Sequence, residues 1–219
     1  MGAQTERTGP VLPLLPAFLA LILFVPLFAF RRIGPLDFWW WMGGNIILAV
    51  AFGFLSDRSY GRIFRDDLRS AAGKKILLGI LSALLLYGIF FAGNTVSRML
   101  LPFAESGIAQ VYGFKQGASV LRIALLMGLI IGPGEELFWR GYLQRFWQSR
   151  FGRIPGFAAS VLLYTLIHSA GGNLMMILAA GVCGLFWGAL YLRYRSVVIL
   201  VVSHTLWDLL VFLILPFLS

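Results

Sequence analysis

Residues Leu125 to Trp147 read LLMGLIIGPGEELFWRGYLQRFW, an apolar run that carries two adjacent acids, Glu135 and Glu136. Arg140 follows the second glutamate by four residues. A charged side chain at the centre of a bilayer costs about 2.5–3.5 kcal/mol on insertion scales, so a pair of acids there needs a purpose. The anomaly recurs downstream. The only two histidines of the chain, His168 and His204, and a further acid, Asp208, also fall in apolar segments. Ionisable groups repeated on separate membrane segments point to a functional site.

The rest of the chain supports a membrane setting for that run. Of its 219 residues 59% are apolar and only 12% charged, with a mean hydropathy of +0.86. Soluble domains run closer to half apolar and a quarter charged, which excludes an ordinary soluble enzyme. Seven apolar segments stand out, near 11–30, 38–55, 76–93, 119–147, 155–170, 173–192 and 196–215. The fold expected is all-α: a polytopic helical bundle of about seven spans in one integral membrane domain, 1–219. Its catalytic core would occupy 119–210, with the groove between spans 4, 5 and 7. A lipid-exposed backbone must satisfy its own hydrogen bonds, and the alternation of barrel strands is absent. Residues 11–30 lack a small-residue cleavage site, follow Glu6 and Arg7 and end at Arg31-Arg32, so they read as a retained span.

The net charge of +9 follows the loops and forms no single patch, so it encodes topology, with no nucleic-acid partner expected. The N-terminus and segments 56–75, 145–153 and 193–195 together hold twelve Lys and Arg. The opposite side holds four: Arg31, Arg32, Arg98 and Lys115. The positive-inside rule then favours a cytoplasmic N-terminus, in the plasma (inner) membrane if the cell is bacterial. Cys183 is the only cysteine, which excludes an internal disulfide; it reads as a small packing residue. Segment 56–75 suits an interfacial amphipathic helix and a solvated loop equally. Segment 94–117 reads as a surface helix, with a lid or re-entrant segment as the alternative. Trp39-Trp40-Trp41 suits an interfacial belt, and glycines 43, 44, 181, 184 and 188 suit close helix packing. Nothing in the sequence sets an oligomeric state.

Helical spacing arranges the polar residues. Glu136 and Arg140, Tyr164 and His168, and His204 and Asp208 are each i,i+4 pairs, so each pair shares a helix face. The Arg140 guanidinium can neutralise Glu136, while Glu135 points about 100° away and is free for another task. Depth counting links two of the segments. From the turn near Gly152, Glu135, Glu136 and His168 all stand about 24–26 Å along their helices, so a hairpin brings them level. His204 stands only about 14 Å beyond Arg195 and is not required to be level. Pro133, with Gly132 and Gly134, can kink or open the helix just before the glutamates.

These groups suit the activation of water for attack on a carbonyl. A buried glutamate can act as general base, with histidine positioning or sharing the proton. A second histidine can stabilise the developing oxyanion. Asp208 either orients His204 or is itself protonated, since an ionised carboxylate cannot donate. Glu135, His168 and His204 could alternatively hold a catalytic zinc, though the local HExxH spacing is missing. The reading taken is a metal-free glutamate base with no cofactor; zinc is the alternative.

In order and spacing the three pairs resemble the motifs of the CPBP family, intramembrane proteases that include CAAX prenyl endopeptidases and bacterial Abi proteins. EExxxR is matched by Glu135, Glu136 and Arg140. The usual FxxxH appears as Tyr164 and His168, with a new hydroxyl, and HxxxN or HxxxD as His204 and Asp208. The resemblance covers about 119–210. It implies an endopeptidase in which Glu135 and His168 activate water, Arg140 organises the glutamates, and His204 and Asp208 stabilise the oxyanion. Its substrate would be a membrane-anchored or lipidated protein, cut near its C-terminus at the bilayer. A proton-coupled transporter and a non-catalytic scaffold or immunity protein are the rival readings.

Overall fold

The computed structural model describes residues 12–217. Glu6, Arg7 and the first residue of the first apolar segment lie outside them. Among the described residues there are nine helices and no strand, apart from a bridge between Ile33 and Leu36. They are α1 (Leu15–Phe30), α2 (Phe38–Ser56), α3 (Tyr60–Arg69), α4 (Ala72–Leu100) and α5 (Ala104–Tyr112), followed by α6 (Val120–Phe151), α7 (Arg153–His168), α8 (Leu174–Tyr194) and α9 (Val197–Ile214).

The all-α bundle is as expected, but the count of seven spans is not confirmed. Five helices are long and apolar enough to cross a membrane: α2, α4, α7 with its trailing turn, α8 and α9. α5 and α6, which meet at a 91° bend, form a sixth if taken as one broken span. α1 is apolar but only 16 residues long, about 24 Å, short of a bilayer core of about 30 Å.

Side-chain caps set several helix starts. Asp37 accepts from the amides of Trp39 and Trp40 at the head of α2, and Asn173 accepts from Met176 N at the head of α8. Asn173 also donates to the Gly107 carbonyl, which ties α5 to α8. Gly152 (φ +95°), in a conformation that suits glycine, turns α6 back into α7.

Between these helices the packing depends on small residues, because lipid supplies no hydrophobic force to press apolar faces together. A Cβ on Gly79 of α4 would stand 2.6 Å from Val202 of α9. One on Gly134 would collide with the Ile46 side chain of α2, and one on Gly132 would stand 2.7 Å from Thr205 Oγ1. This revises the reading of the Gly-Pro-Gly stretch. The helix does not open there; its glycines bring α2 and α9 against it. The local adjustment appears instead as wider π-helical winding on either side, at Met127–Ile131 and Leu137–Gln144.

Segment 56–75 proves to be helical. Along α3, Tyr60 and Phe64 pack inward, and the Tyr60 hydroxyl donates to the Leu137 carbonyl (2.7 Å), one residue past Glu136. Asp67 accepts from Val198 N at the start of α9 (3.0 Å) and pairs with Lys75 (2.6 Å). α3 therefore fills the space under α9, a helix that starts deep in the bundle.

Segment 94–117 is more than a surface helix. α4 runs on to Leu100, and α5 with its following turn lies across the bundle's end. The Tyr112 hydroxyl donates to the Val211 carbonyl (2.8 Å) and Lys115 Nζ to the Phe212 carbonyl (3.0 Å), which fastens this roof to the end of α9.

Of the three tryptophans only Trp40 faces outward. Trp39 is buried and donates to the Phe114 carbonyl under the same roof (2.8 Å). Successive helical residues differ by about 100°, so adjacent tryptophans cannot all face lipid.

Candidate active site

α6, α7, α8 and α9 surround one polar layer. α6 supplies Glu135, Glu136 and Arg140, all buried, with Glu136 fully so. Arg140 Nη1 donates to Glu136 Oε1 at 2.8 Å along the i,i+4 face, as the spacing implies. The guanidinium also lies over the Tyr164 ring (4.7 Å) and against that of Trp187 (5.4 Å). Two aromatic faces and one carboxylate thus compensate the cation, the arrangement a buried charge requires.

His204 stands level with this pair, which depth counting did not require. Its Nδ1 lies 2.7 Å from Glu136 Oε1, and Nε2 lies 3.6 Å from Asp208 Oδ1. The reason is the position of the turn before α9. Arg195 Nη1 donates to Gln148 Oε1 (2.9 Å), and a Cβ on Gly141 would touch Val197 (2.9 Å). The turn therefore sits inward of Gly152, and the helix starts deeper than its length alone suggests. Trp187 of α8 stacks on the His204 ring, with centroids 3.8 Å apart and planes tilted by 22°. Its Nε1 donates to Ser203 Oγ (3.1 Å), which holds the indole in place. No motif spacing marks Trp187, so it carries no signal at the level of sequence.

Glu135 has a different partner. The Tyr164 hydroxyl donates to Glu135 Oε2 at 3.1 Å, both groups being buried. His168 lies one helical turn further on, with its ring 4.5 Å from that of Tyr164. Its Nδ1 lies 2.7 Å from the Tyr164 carbonyl. A carbonyl only accepts, so Nδ1 carries the proton and a neutral ring leaves Nε2 as an acceptor. The hairpin brings Glu135 and His168 into one chamber, with the tyrosine between them.

That chamber is a cavity of about 390 Å³ whose walls are mostly aromatic and aliphatic. Glu135, Tyr164, His168, His204 and Asp208 line it, whereas Glu136 and Arg140 stand behind the wall. Cys183 is buried within the same wall, as a packing residue would be. Three buried polar atoms around the layer lack partners: Glu136 Oε2, Thr205 Oγ1 and Trp207 Nε1.

As placed, Glu135, His168 and His204 do not form a metal-ligand set. Among the described residues, no three His, Cys, Asp or Glu side chains are grouped so as to hold an ion. The Nδ1 atoms of both histidines are engaged with protein partners.

Residues 117–210 match a family model described as Type II CAAX prenyl endopeptidase Rce1-like. Over these residues the chain is similar to the CAAX protease family, consistent with the three motifs. The match spans α6 to α9 and every polar group of the layer. No curated protein and no solved structure matches the chain. The family implies a protease, and its members act on membrane-anchored prenylated substrates in the bilayer. The apolar helices and the family together make this an integral membrane protein.

Proposed function

We propose that the protein is an intramembrane endopeptidase that hydrolyses a peptide bond near the C-terminus of a membrane-anchored or lipidated protein, with Glu135 activating water directly. The observation that carries this reading is the division of the glutamate pair. Glu135 faces the cavity with a neutral hydroxyl as its hydrogen-bond partner, while Glu136 is held behind the wall by Arg140 and His204.

In this mechanism Glu135 removes a proton from water as the water oxygen attacks the scissile carbonyl carbon. His204, in its doubly protonated form, donates from Nδ1 to Glu136 and offers Nε2–H to the oxyanion, with Asp208 orienting the ring. The C–N bond then breaks, and the proton taken up by Glu135 passes to the leaving nitrogen, with Nε2 of His168 able to share it. Arg140 holds Glu136 in place. The catalytic unit is the 119–210 core within a single membrane domain. The basic side bearing α3 faces the cytoplasm, in the plasma (inner) membrane if the cell is bacterial.

The test is cleavage in detergent of a panel of fluorescence-quenched peptides, some farnesylated and some carrying a plain transmembrane anchor. Glu135→Gln should lower turnover by about 10²–10⁴-fold, the worth of a general base. Activity should survive chelation, with no stoichiometric metal in the purified protein. Equal cleavage by wild type and Glu135→Gln would overturn the mechanism. Proton flux in proteoliposomes without cleavage would favour the transporter instead.

A further inference from the structure

Tyr164 fills the aromatic position one turn before His168 and brings a buried hydroxyl to the cavity wall. We infer that Tyr164 is a positioning residue that assigns separate tasks to the two carboxylate oxygens of Glu135. This rests on the protease reading above.

Three contacts made by one residue support it. The hydroxyl donates to Glu135 Oε2 (3.1 Å), the backbone carbonyl accepts from His168 Nδ1 (2.7 Å), and the ring carries the Arg140 guanidinium (4.7 Å). Tyr164 thus touches the proposed base, its histidine neighbour and the arginine behind them. The hydroxyl is directed at Glu135 Oε2, and Trp139 packs edge-on against the ring with centroids 5.2 Å apart. The ring is thereby clamped between α6 and its own helix, and the O–H can be directed along one line. Because Oε2 receives this bond, Oε1 is the oxygen left to accept the proton of the attacking water. The hydroxyl is not consumed: it holds the carboxylate in one rotamer before and after proton transfer. Without it, a carboxylate in an apolar chamber rotates about its last torsion and offers either oxygen.

Tyr164→Phe tests this cleanly, because it removes only the hydroxyl and keeps the ring contacts with Arg140, Trp139 and His168. Turnover on the quenched peptide panel should fall by about 10–100-fold, the range for losing a hydrogen bond to a charged group. KM and the melting temperature should stay within about twofold and 2 °C of wild type, since the hydroxyl neither touches substrate nor carries the packing. Tyr164→Leu, which also removes the ring, should in addition lower the melting temperature. Wild-type turnover in Tyr164→Phe would overturn the proposal, as would a raised KM with unchanged kcat, which would place the hydroxyl on the substrate. Glu135→Gln, run in parallel, separates the two claims. If that variant still cleaves, the glutamate-base reading falls; if it is inactive while Tyr164→Phe is fully active, only the positioning role falls.

Discussion

Two ionic clusters lie along α6, about two turns apart, and they are built on opposite principles. At the inner end Asp57 accepts from the Ser59 amide (2.9 Å) and hydroxyl (2.7 Å) and pairs with Arg145, whose Nε donates to the Gly141 carbonyl (2.9 Å). Every charge there has several partners. Burial by itself disfavours ionised Asp57, but the Ser59 bonds and the Arg145 guanidinium outweigh it and hold the carboxyl below its usual range. In the mid-depth layer, by contrast, Glu136 Oε2, Thr205 Oγ1 and Trp207 Nε1 are left without partners, and Glu135 has one neutral donor. A saturated cluster fixes helices; an unsaturated one keeps capacity for a water and a peptide bond. The same helix is tied down at one end and lines the cavity in the middle.

Variants can break this contrast, and the largest effect is expected at Arg140. Arg140→Met strips Glu136 of its cation inside a fully buried site. The cost should be about 3–5 kcal/mol in unfolding free energy, as for one partner removed from a buried pair, and denaturation in mild detergent would measure it. A small loss would mean that His204 alone compensates Glu136.

His204→Gln should act mainly on chemistry. It should lower kcat by about 10²–10³-fold, the worth of an oxyanion donor, with substrate binding preserved. A rise in KM alone would remove the ring from the oxyanion role.

The smallest effect belongs to the saturated cluster. Asp57→Asn should cost about 1 kcal/mol at neutral pH and leave kcat unchanged, because its network is far from the cavity. The pH dependence follows from the lowered value of Asp57. Its contribution is complete above the ordinary carboxylate range near 4 and is lost as pH falls through the lower folded value. The gap in melting temperature between wild type and Asp57→Asn should therefore close in strong acid. A gap that persists there would show that the carboxylate is not what stabilises the inner end.

Much of the layer was legible in the sequence because helices convert spacing into direction. The i,i+4 rule placed Arg140 on Glu136 and split the glutamates between two tasks, and counting from Gly152 put His168 in the chamber of Glu135. What spacing cannot convey is where a turn sits. The recess of Arg195 beside Gln148, and α3 beneath it, raised His204 to the level of Glu136. Length also leaves the count of seven spans unconfirmed, since α1 is apolar yet short and α5 meets α6 at a sharp bend. The hydroxyl of Tyr164 stood in the sequence as a departure from a motif; only its aim at Glu135 needed the fold.

The roof over the cavity has one more consequence. Tyr112 and Lys115 fasten it to the carbonyls of Val211 and Phe212, about one helical turn beyond Asp208. Whatever lifts that cover pulls on the same rod that carries His204 and Asp208. The end of α9 therefore couples the cover of the chamber mechanically to two of the groups that line it.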